Sequence, residues 1–215
     1  MLELPFRDRA EAGRLLGGHL AGRDWPKNSI VLALPRGGVP VGFEVARALG
    51  LPLDVIVVRK LGVPWQPELA MGAIAGGGIR VLDEQLIRTE GISREAVELV
   101  AQREEQEAAR REQLYREGRP ALDLRNRTVI LVDDGLATGS TMRAAVMCVK
   151  SLQPSAVIVA VPVASRRARE HLRHIADECV CLAIPDAFGA VGEWYWDFRQ
   201  TSDAEVRELL RRPAC

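Results

Sequence analysis

Val129–Thr141 reads VILVDDGLATGST, and the stretch changes character along its length. Val129, Ile130, Leu131 and Val132 are apolar and mostly β-branched, the composition of a strand buried on both faces. The run stops at two adjacent carboxylates, Asp133 and Asp134. Two residues later comes Ala137-Thr138-Gly139-Ser140-Thr141, small and hydroxylated; Met142, Ala145, Val146, Val149 and Leu152 then recur at helical spacing. Strand, small-residue loop and helix N-terminus together make an anion site. Backbone N–H groups and the positive end of the helix dipole meet there, and Thr138, Ser140 and Thr141 add hydroxyl donors. Asp133 and Asp134 would repel a phosphate, so they suit ribose hydroxyls, or a divalent cation held jointly with the ligand.

Further apolar runs flank this unit at 29–35, 54–58, 156–161 and 179–184. Helix signals separate them. Asp8 with Glu11 makes a capping box ahead of Leu15, Leu16 and Leu20; Val39, Phe43, Ala46 and Leu49 run to a stop at Gly50. Ser165 precedes Ala168, Leu172 and Ile175, and Ser202 with Glu205 precedes Val206, Leu209 and Leu210. Residues 71–75 and 79–83 alternate about Gly76-Gly77-Gly78, which predicts a hairpin. Ser93 caps a long helix to about Glu117, whose QREEQEAARREQ segment reads as a solvated face with Glu107 and Arg111 pairing across one turn. Continuous apolar strands separated by helices predict an α/β fold, a parallel sheet flanked by helices on both faces. Sites in such sheets lie at the carboxyl ends of the strands.

Another candidate lies at such an end. Strand 29–35 runs into Pro35-Arg36-Gly37-Gly38, where two glycines admit close backbone approach and Arg36 offers planar donors to phosphate oxygens. Strand 54–58 runs into Arg59-Lys60, two cations, and then LGVPWQPELAMG, whose Pro and Gly content predicts a mobile loop. The segment at about 185–200 gathers Phe188, Trp194, Tyr195, Trp196 and Phe198, five of the chain's ten aromatic residues, as faces on which a base could stack. His171 and His174 lie three apart on a helix without a carboxylate at matching spacing, and Cys179 and Cys181 are too close for a zinc knuckle and read as buried thiols.

The 215 residues predict one domain, with 47% hydrophobic and 27% charged residues typical of a soluble globular protein. Basic and acidic residues balance at 29 each, so nothing global attracts a nucleic acid. The N-terminus lacks an apolar signal region and no run reaches transmembrane length; with few cysteines (Cys148, Cys179, Cys181, Cys215), a reducing cytoplasm is expected, and no membrane partner.

VILVDDGLATGST resembles the motif by which type I phosphoribosyltransferases bind 5-phosphoribosyl 1-pyrophosphate (PRPP): an apolar strand, two acids, two variable residues, then a residue followed by Thr-Gly and Ser or Thr. No GxxxxGK followed by Ser or Thr competes with it, nor does a GxGxxG opening a helix after a strand. The resemblance implies Mg²⁺-dependent transfer of a phosphoribosyl group to a nucleobase or other nitrogen acceptor, with release of pyrophosphate. It implies the 5-phosphate on Ala137, Thr138, Gly139, Ser140 and Thr141, with Asp133 and Asp134 on the ribose and, indirectly, the metal. Pyrophosphate would sit on Arg36, Gly37, Gly38 and Lys60, in a loop often built around a non-proline cis peptide. A lid after Lys60, a small hood of terminal segments offering Trp194, Tyr195 or Trp196 to the base, and a homodimer are further implications. One departure bears on the acceptor: enzymes for 6-oxopurines usually have Asp where Ala137 stands, which disfavours that class. The alternative is a PRPP-sensing regulator with little catalysis, which would keep the same motif.

Overall fold

The computed structural model describes residues 2–116 and 119–213. Its elements run α1 (Arg9–Leu20), β1 (Ile30–Ala33), α2 (Gly38–Leu49), β2 (Leu53–Val55), β3 (Val58–Val63), β4 (Gln66–Ala75), β5 (Ile79–Leu82), α3 (Glu84–Thr89), α4 (Arg94–Arg116), β6 (Thr128–Val132), α5 (Ser140–Ser151), β7 (Ala156–Val163), α6 (Arg166–Arg173), β8 (Glu178–Ala183) and α7 (Asp203–Arg211). The capping signals act as expected: the Asp8, Ser165 and Ser202 side chains accept from Glu11, Ala168 and Glu205 N–H groups.

Five strands form a parallel sheet in the order β2-β1-β6-β7-β8. Successive residues of each strand point to opposite faces, and both faces are covered. Leu16, Leu20, Val41 and Val45 of α1 and α2 pack on Val31, Ile130, Val132, Ile158 and Ala160. On the other face Met142, Ala145, Val149, Ala168 and Leu172 of α5 and α6 pack on Leu32, Val129, Leu131, Val157 and Val159. That double burial is why the strands read as unbroken apolar runs. β1 pairs with β6 from Ile30↔Val129 to Ala33↔Val132, and Leu34 N donates to Val132 O at 2.9 Å. The loops that follow these two strands therefore start side by side.

The run at 54–58 is divided. β2 stops at Val55, and Val58 opens a second, antiparallel sheet in the order β3-β4-β5. The stretch 61–72, predicted as a mobile loop, instead supplies most of the β3–β4 arms, with Leu61, Val63 and Met71 buried. Gly62 marks an irregularity in the pairing, where a Cβ would lie 2.6 Å from Pro67 O; the glycine serves close approach of the strands. The Gly76–Gly78 turn and its hairpin form as predicted. Short α3, capped by Asp83, has no counterpart in the sequence reading.

α4 forms with Ser93 accepting from Ala96 N at 3.2 Å, and its expected end at residue 117 lies outside the described residues. Its face is not wholly solvated. Val97, Ala101, Ala108 and Tyr115 are buried against Leu61, Val63, Met71 and Ile74 of the hairpin. Among the described residues no helix is long and apolar enough to cross a membrane.

Two glycine substitutions should move stability in opposite directions. Gly62→Ala forces the β3–β4 crossing apart and should cost about 1–3 kcal/mol, whereas Gly18→Ala, in α1 with open space around the new methyl, should gain about 0.5–1 kcal/mol. Thermal melts of both variants check the difference in sign.

Candidate active site

Side-by-side loops after β1 and β6 bring the charged groups together. The first contains the non-proline cis peptide Pro35–Arg36, followed by Gly37 and Gly38 at the start of α2. A Cβ on Gly37 would lie 2.0 Å from Asp134 Oδ2, and one on Gly38 would lie 2.7 Å from Val132 O and 2.9 Å from Asp133 Cα. These glycines let the acid pair rest directly against the neighbouring loop.

Asp133 and Asp134 directly follow β6 and are half-buried. Asp133 Oδ1 accepts from Asp134 N at 2.9 Å. Asp134 Oδ2 accepts from Arg9 Nε at 2.8 Å, an ion pair whose side chains are 11% and 14% exposed. Removal from water raises both carboxyls; at Asp133 the adjacent Asp134 charge adds to the rise, and at Asp134 the Arg9 charge opposes it.

Arg9 is a site residue that the sequence reading missed. Its guanidinium lies 3.9 Å over the Phe198 ring, and Nη1 donates to Arg199 O at 2.7 Å. One signal was available: Arg9 occupies the first turn of α1, where a helix dipole disfavours a cation unless something else holds it.

The motif loop leads into α5. Leu136 N donates to Val163 O, and Ser165 Oγ donates to Ala137 O at 2.6 Å, tying the loop to the start of α6. Gly139 takes φ 74°, a left-handed conformation, immediately before the helix. The hydroxyls of Thr138 and Ser140 are 3.1 Å apart, while Ala137, Thr138 and Thr141 are exposed. The loop thus presents hydroxyls and the N–H groups of a twelve-residue helix to solvent.

Two predicted cations approach from the other side. Arg36 Nη1 lies 3.6 Å from Asp203 Oδ1 in the first turn of α7, and the Tyr115 hydroxyl donates to the same oxygen at 2.5 Å. The Tyr115 hydrogen bond, then the Arg36 charge, hold Asp203 below the usual carboxylate range. Lys60 lines a cavity of about 480 Å³ with Pro35, Arg59, Thr141 and, from α4, Arg103, Glu104 and Arg111.

The aromatic segment is divided between roles. Tyr195 is 5% exposed, its ring lies between Phe6 at 5.5 Å and Phe198 at 5.2 Å, and its hydroxyl donates to Asp134 O at 2.5 Å. It anchors the acid pair and has no open face for a base. Trp194 stacks on Phe188 at 6.1 Å, and Trp196, 78% exposed, lies in a surface hollow with Leu2, Pro5 and Leu15 instead of with the loop residues. The hood does form from both terminal segments, joined by the bridge between Phe6 and Tyr195. Cys179 and Cys181 are half-buried with sulfurs 3.9 Å apart, Cys148 is buried, and Cys215 lies outside the described residues. Among the described residues no group of three His, Cys, Asp or Glu is arranged to hold a metal, and His171 and His174 join no such group.

This α/β sheet, with an acid pair and a hydroxyl-rich loop after β6 and a glycine loop at the adjacent end of β1, is a phosphoribosyl transferase architecture. The chain belongs to that family: the phosphoribosyl transferase domain model matches residues 9–199. Proteins from two Mycobacterium tuberculosis strains, whose names carry a provisional phosphoribosyl transferase assignment, are 46% identical over 207 residues, 96% of this chain and 46% of theirs. The chain therefore spans about half the length of these curated relatives. TT1426 from Thermus thermophilus superposes with TM-score 0.89 at 45% identity, over 95% of this chain and 97% of that one. The AQ2163 protein from Aquifex aeolicus, 10% identical over 94% and 85% of the two chains, shares the fold with TM-score 0.52.

The raised carboxyl pKa of Asp133 sets the sign of a stability test. A carboxyl that binds its proton more tightly when folded favours folding at low pH and opposes it as pH rises above the unfolded value of about 3.9 toward the native one. Asp133→Asn has no charge to dehydrate, so the ligand-free variant should melt above wild type at pH 7, each kcal/mol counting for about 2–4 °C. The advantage should vanish below about pH 4. A variant less stable than wild type at pH 7 would show that Asp133 holds the fold together.

Proposed function

We propose that the chain transfers a 5-phosphoribosyl group from PRPP to a nitrogen acceptor and releases pyrophosphate. The observation that carries this reading is the direct contact of the Gly37–Gly38 backbone with Asp133 and Asp134. On this reading the Gly37–Gly38 loop would take the pyrophosphate and the acid pair the ribose, and their contact supports the two serving opposite ends of one C1′–O bond. Thr138, Gly139, Ser140 and Thr141, with the α5 N-terminus, would take the 5-phosphate. Asp133 and Asp134 would accept from the ribose hydroxyls. Arg36 and Lys60 would stabilise the pyrophosphate as it departs and C1′ becomes oxocarbenium-like. In such a reaction positioning and preorganised charge supply most of the rate enhancement.

Mg²⁺ fits this donor set as an ion shared with the substrate. Among the described residues there is no three-ligand cage, and one oxygen of Asp134 is committed to Arg9. One or two carboxylates beside substrate oxygens and water are what Mg²⁺ uses in phosphate sites, where it neutralises charge on the leaving group. Ala137, which lacks the carboxylate usual in 6-oxopurine enzymes, disfavours that acceptor class. Another nucleobase or amine is favoured.

PRPP with Mg²⁺ at about a hundred times its dissociation constant should add about 2.7 kcal/mol, roughly 5–10 °C in melting temperature. A folded chain that does not respond to millimolar PRPP would sink the assignment. Arg36→Ala distinguishes a transferase from a sensor. A group that stabilises departing pyrophosphate acts most strongly in the transition state. Its loss should therefore lower turnover at saturating PRPP by about tenfold or more, equivalent to about 1.4 kcal/mol. Unchanged turnover at saturating PRPP would remove Arg36 from the leaving-group role.

A further inference from the structure

We propose that α4 supplies a second pair of cations, Arg103 and Arg111, to the pyrophosphate. This role rests on the phosphoribosyl reading above and extends it to a helix outside the motif. Val97, Ala101, Glu104, Ala108, Arg111 and Tyr115 are separated by alternating steps of four and three residues, so they form one stripe along α4. Four of the six are buried against the β3–β4 hairpin. Glu104 and Arg111 interrupt the stripe where an apolar residue would otherwise complete the packing.

The cavity of about 480 Å³ opens at that interruption. Its other walls are Pro35 beside the cis peptide, Lys60 on β3 and Thr141 at the start of α5. The stripe thus loses its apolar character where the helix faces the candidate site. Solvation alone does not account for Glu104 and Arg111, because these two positions lie on the packed face; Arg103, one residue before Glu104 and exposed, lines the cavity from the edge of the stripe.

The charge is sorted as well. Over its length α4 carries five Arg and six Glu, so the helix as a whole is slightly acidic. Among the described residues, the charged side chains lining the cavity are Arg59, Lys60, Arg103 and Arg111, with Glu104 as the carboxylate. Glu104 is committed to Arg59 at 2.7 Å, and Arg111 is held by Glu107 at 2.6 Å. Arg103 makes no hydrogen bond or ion pair among the described residues. An excess of cations among the described lining residues, in a chain of zero net charge, suits a multiply charged anion, and guanidinium groups suit the paired oxygens of a phosphate. The ligand that brings such charge to this side of Thr141 is the pyrophosphate.

Two probes separate this cavity from the motif loop. Inorganic pyrophosphate and ribose 5-phosphate are each titrated calorimetrically into the full chain with Mg²⁺, in wild type, Arg103→Ala, Arg103→Lys and Arg111→Ala. Ribose 5-phosphate engages the motif loop and acid pair only. Each Ala variant should weaken pyrophosphate binding by about tenfold or more, the effect of losing one charge-assisted hydrogen bond, and leave ribose 5-phosphate within about twofold. Arg103→Lys should recover part of the loss, because it keeps the charge and gives up the planar fork. Unchanged pyrophosphate affinity in both Ala variants, or equal losses for both probes, overturns the proposal. Wild-type chain that binds ribose 5-phosphate but not pyrophosphate overturns it too, while the phosphoribosyl reading stands. Chain that binds neither probe removes that reading and this one with it.

Discussion

The site depends on one contact, between a backbone without side chains and a pair of carboxylates. Parallel pairing of β1 and β6 starts two loops at the same level, and Gly37 and Gly38 let them touch. A methyl group at Gly37 would occupy the position of the Asp134 carboxylate. Without that contact Asp133 and Asp134 would be ordinary strand-end acids in water. With it they are half-buried beside each other, and both hold their protons more tightly than exposed carboxyls do.

Crowding two acids in this way is unfavourable, and much of the rest of the chain offsets it. Arg9 supplies the compensating charge. Phe198 lies against the flat face of Arg9, and the Tyr195 hydroxyl holds the Asp134 carbonyl. The N-terminal segment and the stretch after β8 therefore meet over the sheet edge for an electrostatic reason as well as a hydrophobic one. The aromatic hood is in large part the support of the acid pair. A local loss of stability retained at a charged cleft is the usual mark of a site preorganised for a ligand.

The cations are tethered in the same manner. Asp203, at the start of the last helix, lies within reach of Arg36 and is itself held by Tyr115 of α4. The hairpin carrying Lys60 is gripped between α4 on one side and the α5 side of the core on the other. Segments from both ends and the middle of the chain thus position a small group of charges around two strand ends. A substitution distant in sequence from the motif, at Arg9 or Tyr195, acts on the same carboxylates as one within it.

Much of this was written locally. The apolar run, paired acids and hydroxyl loop of 129–141 determined a strand, a turn and a helix start; capping residues and glycine stops determined most of the other helices, because those signals act within a few residues. Tertiary structure decided what local signals cannot encode. The apolar run at 54–58 gave no sign that it would be shared between two sheets, since period and composition are alike on either side of Val55. Pro and Gly in 61–72 looked like flexibility, and only the facing strand makes Gly62 a packing requirement. The polar helix α4 hid its buried stripe because Ala101 and Ala108 are small and two of the six positions are charged. Arg9 and Asp134 are 125 residues apart, and no local pattern links them. The sequence named the chemical groups; folding chose their partners, because an ion pair in a dehydrated cleft is defined by which surfaces meet and not by what lies adjacent along the chain.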